Sequence, residues 1–60
     1  MVEHDYQFRH WGGWWYLEQR SRILGNPWSA WRHFDSNPSK GWLREKHPME
    51  ARYAAKNGRG

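Results

Sequence analysis

The stretch WGGWWYLEQRSRILGNPW, residues 11–28, decides the fold of this 60-residue chain. It holds four of the six Trp and three of the six Gly, and it contains the clearest boundaries between elements. Two interpretations of this stretch compete, and they lead to different architectures.

In the first interpretation, Gly12-Gly13 is the two-residue loop of a β-hairpin, because glycine supplies the positive φ angles that type I′ and II′ turns require. The resulting register pairs Trp11 with Trp14, His10 with Trp15, and Phe8 with Leu17. One side of the ribbon then carries Tyr6, Phe8, His10, Trp15 and Leu17, and the other carries Arg9, Trp11, Trp14 and Tyr16.

In the second interpretation, a helix runs from about Trp14 to Leu24. The residues Leu-Glu-Gln-Arg are good helix formers. Gly25 then takes the C′ position, and Asn26-Pro27 ends the helix. This helix is the interpretation that we prefer.

The segments on either side of this stretch give different predictions. In residues 1–10, apolar and polar side chains alternate weakly, which predicts a short strand or an extended arm. After the stretch, the three Pro at 27, 38 and 48 each resemble a helix start. Asn26 and Asn37 precede two of them as candidate N-caps. We expect helices over about 27–34, 38–46 and Pro48–Lys56, then an Asn57-Gly58 C-cap, with residues 57–60 a loose tail.

Length and composition indicate one small domain, residues 1–60. There is no Cys to form disulfides, and the large aliphatic residues number only one Val, one Ile and three Leu, so eleven aromatic residues must supply most of the core. The predicted fold class is mainly α: three or four short Pro-initiated helices around an aromatic core. An N-terminal β-hairpin, which gives an α+β fold, stays open as the alternative. We expect Trp14, Trp28, Trp31 and Trp42 in the core, and Trp11 and Trp15 exposed.

The distribution of charge suggests an anionic partner. The net charge is +4, with −2 on residues 1–18 and +6 on residues 19–60. Such a balance is typical of proteins that bind nucleic acid, a ribonucleoprotein or an acidic protein face. No apolar run approaches the roughly 20 residues of a membrane span, and no signal peptide opens the chain. We therefore expect a cytoplasmic protein without a membrane partner.

Reaction chemistry is poorly represented, so we predict that the protein is not an enzyme. The four Ser occupy cap or surface contexts, and no Gly-x-Ser-x-Gly elbow is present. The four His lack zinc-ligand spacing, and Gly12-Gly13 is not followed by the Lys and Ser/Thr of a phosphate-binding loop. We predict no metal, no cofactor and no small-molecule substrate.

The remaining signal is basic residues interleaved with aromatic ones. The first hypothesis is docking on nucleic acid or a ribonucleoprotein, with cations on phosphates and exposed Trp stacking on bases. The second is a protein-docking module, an inhibitor or adaptor of a larger enzyme, anchored by residues 11–16. The candidate binding residues are Trp11, Trp14, Trp15, Tyr16, Arg20, Arg22, Arg32, Lys40, Arg44 and Lys46.

A short resemblance points in the same direction. Asn26-Pro27-Trp28 and Gly41-Trp42 resemble the Pro-aromatic and Gly-Trp elements of the ribosome modulation factor family. That family is short, basic and helical, and the resemblance implies a ribonucleoprotein partner. It covers about seventeen residues, and the small-residue pattern that precedes these elements in the family is missing from this chain.

Overall fold

The computed structural model describes residues 1–56 and shows a three-stranded antiparallel sheet followed by two helices. The strands are β1 (Val2–Trp11), β2 (Trp14–Ile23) and β3 (Arg32–Asn37), in the sheet order β1-β2-β3. The helices are α1 (Lys40–Lys46) and α2 (Pro48–Lys56). The fold is therefore α+β, and the prediction of a mainly α domain is wrong.

The hairpin of β1 and β2 turns at Gly12 and Gly13, whose φ angles are +61° and +79°. Two consecutive positive φ angles are typical of a type I′ turn, which strongly favours glycine. The register runs from Val2 opposite Ile23 to Trp11 opposite Trp14. The helix predicted from Trp14 to Leu24 is wrong, because intrinsic helix propensity is a small term and strand pairing along the whole of β1 outweighs it.

The connection from β2 to β3 also lacks the helix predicted over 27–34. Gly25, with φ +91°, lies in a turn closed by a hydrogen bond from the Asn26 N–H to the Ile23 carbonyl at 2.9 Å. Ser29 then donates its N–H to the Ser21 carbonyl at 2.8 Å, and its Oγ accepts from the Ser21 N–H at 3.0 Å. The backbone of residues 27–31 is thereby tied to the edge of β2, and β3 follows directly.

The two helices lie close to their predicted ranges, but α1 begins later than expected. Its N-cap is Ser39, whose Oγ accepts from the Trp42 N–H at 3.2 Å. Asn37, the predicted cap, instead accepts from the Ser39 N–H at 2.8 Å. His47 alone connects α1 to α2. The predicted C-cap and loose tail at 57–60 lie outside the described residues.

Both helices pack on one face of the sheet. The buried core consists of Tyr6, Phe8, Leu17, Leu43, Ala51 and Ala54, with half-buried Trp15 packed against it. The two leucines are fully buried and join β2 to α1. The expectation that Trp14, Trp28, Trp31 and Trp42 form the core is wrong, since none of them is buried. Neither helix of residues 1–56 has the length and apolarity needed to cross a lipid bilayer.

Candidate nucleic-acid interface

The face of the sheet opposite the helices is a second, chemically distinct surface. Side chains alternate across a strand pair, so residues between the core positions point away from the helices. We call this surface the open face. It comprises Glu3, Asp5, Gln7, Arg9 and Trp11 of β1 with Trp14, Tyr16, Glu18, Arg20 and Arg22 of β2.

Three arginines on the open face each pair with a carboxylate on the neighbouring strand. Arg22 Nε lies 2.7 Å from Glu3 Oε1, and Arg9 Nε lies 3.3 Å from Glu18 Oε2. Arg20 contacts Asp5 Oδ2 through Nε at 3.2 Å and Nη2 at 3.0 Å. These six formal charges cancel, so the open face is rich in charge without a net excess.

Aromatic rings fix the same arginines from the side. The guanidinium of Arg20 lies 4.7 Å from the ring centroid of Trp28 and 4.5 Å from that of Trp31. The guanidinium of Arg22 lies 4.3 Å from the ring centroid of Trp28. Residues 27–31 thus place Trp28 and Trp31 against the end of the open face. There the two rings alternate with the guanidinium groups of Arg20 and Arg22 in one stack. We call this set, Trp31, Arg20, Trp28 and Arg22, the Arg–Trp stack.

Donor groups remain available on two of the paired arginines. Within residues 1–56, the guanidinium hydrogen bonds of Arg9 and Arg22 run through Nε alone. Each arginine therefore keeps both terminal nitrogens, which form the fork that matches a phosphate or a guanine edge. The carboxylates hold the arginines in place without using that fork.

The hairpin tip presents exposed aromatic surface near Arg9, at the opposite end of the open face from Arg22. Trp11 and Trp14 face each other across the turn and are 69% and 45% exposed. Among the described residues, neither ring has an aromatic or cation–π contact. Tyr16, the next open-face residue of β2, lies under the guanidinium of Arg9 at 4.9 Å. The tip thus exposes two indole rings that make no aromatic or cation–π contact within residues 1–56.

The predicted binding residues do not form one surface. Trp11, Trp14, Tyr16, Arg20 and Arg22 lie on the open face. The others lie elsewhere: Trp15, Lys40, Arg44 and Lys46 on the side of the helices, and Arg32 opposite Gln19, donating to Ser21 Oγ at 3.3 Å.

Trp15 differs most from its prediction as an exposed contact. Its ring stacks on His10 at 4.3 Å with an interplanar angle of 6°, and the ammonium of Lys40 lies 4.7 Å above it. It also meets Phe8 edge-on at 6.3 Å. Trp15 therefore packs on the core, and Lys40 is held over it rather than on the open face.

Sequence reasoning missed the acidic partners and the loop tryptophans of the open face. Glu3, Asp5 and Arg9 were not among the candidates, and Trp28 was assigned to the core. One available signal was the hairpin register itself, which places Glu3 opposite Arg22 and Asp5 opposite Arg20. Opposite charges in directly facing positions favour that register, and they identify the paired arginines.

One titrating group lies on the helix side, away from the open face. The pKa of Asp35 is lowered from its ordinary value, chiefly by the hydrogen bond with His47 Nε2 at 2.8 Å. The Ser36 N–H and the Lys46 ammonium, 2.8 Å and 3.5 Å away, act in the same direction, and partial burial opposes them. This cluster joins β3 to the junction of α1 and α2. Residues 1–56 contain no group of three His, Asp or Glu side chains placed to hold a metal ion.

Comparison of the chain with family models, curated proteins and solved structures found no match. The resemblance of residues 26–42 to the ribosome modulation factor family is not accompanied by a family match. The geometry of the open face is therefore the basis for a functional proposal.

Proposed function

We propose that this is a non-enzymatic binding protein that docks the open face of its sheet on double-stranded DNA. The observation that carries the proposal is a set of three oriented arginines along one sheet face, with two exposed tryptophans at the hairpin tip of the same face. Arginine forks pair with phosphates and guanine edges, and aromatic rings contact bases. Nucleic acid is a partner class that uses both.

The shape of the hairpin favours a duplex. Neighbouring strands lie about 4.8 Å apart. The hairpin is two-stranded at both ends, since β3 pairs only with residues 15–19 of β2, and a two-stranded ribbon has a width that the major groove of B-DNA admits, about 12 Å. The major groove of A-form RNA is too deep and narrow for side chains to enter. A protein that reads bases from a sheet face therefore suits DNA.

The paired arginines suit base edges better than phosphates. Arg9 and Arg22 would offer their terminal nitrogens to the O6 and N7 of guanine, and each such bidentate pair discriminates by about 1–3 kcal/mol. Because Glu3 and Glu18 already orient these guanidinium groups, less side-chain freedom is lost on binding. Since the charges of the open face cancel, attraction to phosphates would come from the net charge of +4 over the whole chain.

The test is a binding titration of a labelled random-sequence duplex pool, followed by selection of the bound sequences. We expect a selected duplex to bind with a log–log salt slope of about −0.9 per phosphate contact. Arg22→Lys keeps the charge but loses the fork, so it should weaken the selected duplex roughly 5- to 150-fold. It should leave binding to the unselected pool nearly unchanged.

Arg52→Lys on α2, far from the open face, is the matched control and should bind like the wild type. No enrichment, or equal loss with both variants, would contradict the proposal. Preference for the single strand of the same sequence would mean that Trp stacking rather than groove reading governs binding. The alternative of a protein partner anchored by Trp11, Trp14 and Tyr16 predicts capture that survives high salt and nuclease.

A further inference from the structure

A groove of about 630 Å³ lies between the two helices, on the opposite side of the molecule from the open face. Its floor is apolar, formed by Phe8 of β1 with Pro48 and Ala51 of α2. Its rim carries charged side chains from both helices: Lys40, Arg44, Glu45 and Arg52. A volume of this size lies within the range of ligand-binding clefts, about 300–1,000 Å³.

The rim holds a surplus of positive charge. Three cations face one carboxylate, Glu45. Within residues 1–56, Arg44 and Arg52 form no salt bridge, whereas the three open-face arginines are all paired. Lys40 is oriented by the rings beneath it, with its ammonium 5.1 Å from Phe8. The cations of the groove are therefore free to meet an anionic partner.

Gly41 is a second and independent observation. Glycine in a helix is less stable than alanine, and Gly41 does not have the positive φ that would require it. A Cβ added there would meet only Ser39 Oγ at 3.6 Å, an ordinary contact distance. Among residues 1–56 no contact or backbone angle requires this glycine, and it lines the groove, where a larger side chain would take up space.

From these features we propose that the groove binds an acidic, amphipathic peptide segment of a partner protein. Carboxylates of the segment pair with Lys40, Arg44 and Arg52, and one or two apolar side chains lie on Phe8 and Ala51. Charge complementarity selects an acidic occupant, and the apolar floor favours a peptide over a phosphate backbone. The inference does not depend on the proposed DNA function, since it concerns the other face of the molecule.

The probe is a fluorescein-labelled synthetic peptide of Glu and Leu at amphipathic helical spacing, measured by anisotropy with the full chain. The comparison peptide replaces every Glu with Lys. We expect the Glu peptide to bind and the Lys peptide to bind at least tenfold more weakly. Equal binding of the two peptides, or none by either, would overturn the proposal.

Gly41→Leu tests the groove directly, because leucine is a good helix former and fills the space. The variant should have the circular dichroism spectrum of the wild type, and its affinity for the Glu peptide should be at least tenfold lower. The double variant Arg44→Gln/Arg52→Gln changes only exposed side chains and should weaken the peptide similarly. Unaltered affinity in this double variant would overturn the proposal, whatever the outcome for Gly41→Leu.

Arg22→Lys distinguishes the two proposals, since it should affect the DNA titration and leave the peptide titration unchanged. Backbone amide shifts of Gly41 and Ala51 should move with the peptide. If they move with duplex DNA and not with the peptide, the groove is part of a nucleic-acid surface and the peptide proposal is wrong.

Discussion

Replacing Trp28 by alanine tests the Arg–Trp stack in isolation from the core. Trp28 contacts two guanidinium groups, at 4.7 Å and 4.3 Å. Each cation–π contact at an exposed site contributes about 0.5–1 kcal/mol, so Trp28→Ala should lower the free energy of unfolding by about 1–2 kcal/mol. A domain of this length has roughly 3–9 kcal/mol of stability in total. The variant therefore removes a measurable share of it.

The assay is calorimetric unfolding of the wild type and the variant. For a domain of this size, each kcal/mol corresponds to about 4–8 °C in Tm, so we expect a decrease of roughly 4–16 °C. Trp11→Ala is the matched control, because that ring is 69% exposed and has no aromatic or cation–π contact among residues 1–56. If the two variants lose equal stability, the stack does not hold residues 27–31 on the sheet and the reasoning fails.

Three further variants test the rest of the fold. Gly13→Ala forces a side chain into a φ of +79° and should cost roughly 1–2 kcal/mol of stability, seen in chemical denaturation, whereas an unchanged midpoint would argue against a type I′ turn. Leu43→Ala truncates a fully buried side chain and should cost about 2–5 kcal/mol, seen as a lower midpoint in chemical denaturation; an unchanged midpoint would contradict the described core. Asp35→Asn should remove a contribution that exists above the unfolded-state pKa of 3.8 and is lost as the pH falls through the lower folded-state pKa. The difference in unfolding free energy between wild type and Asp35→Asn should therefore shrink as the pH falls below 3.8 and through the lower folded-state pKa, and a constant difference would show that Asp35 does not titrate as inferred.

The fold was predictable from sequence where the decisive signal was local. Gly12-Gly13 specifies its turn through φ angles that few other residues adopt, and the register that follows from it agrees with the structure. Whether the residues of β2 form a strand or a helix is not decided by local sequence. Helix propensity in Leu17–Arg20 is a weak term, and the competing term is pairing with a strand that precedes it in the chain.

The candidate site was predictable only in its residue types. Composition indicated arginines among aromatic residues, and the structure does place Arg20 and Arg22 beside tryptophans. We expected Trp28 and Trp31 in the core, on a helix over about 27–34, but both rings instead contact the guanidinium of Arg20 from the connection between β2 and β3. The periodicity of residues 27–34 cannot predict this contact, because Arg20 lies on β2, outside that segment.

The placement of the tryptophans outside the core has a spectroscopic consequence. All six indoles keep some contact with solvent, and the fully buried side chains are leucines and an alanine. Intrinsic emission of this protein therefore reports on its two surfaces more than on its interior. A ligand on the hairpin tip would change the emission of Trp11 and Trp14, and a ligand between the helices would change that of Trp15, which lies under Lys40 of the groove. Single-indole variants would let one optical titration record which side of the molecule is occupied.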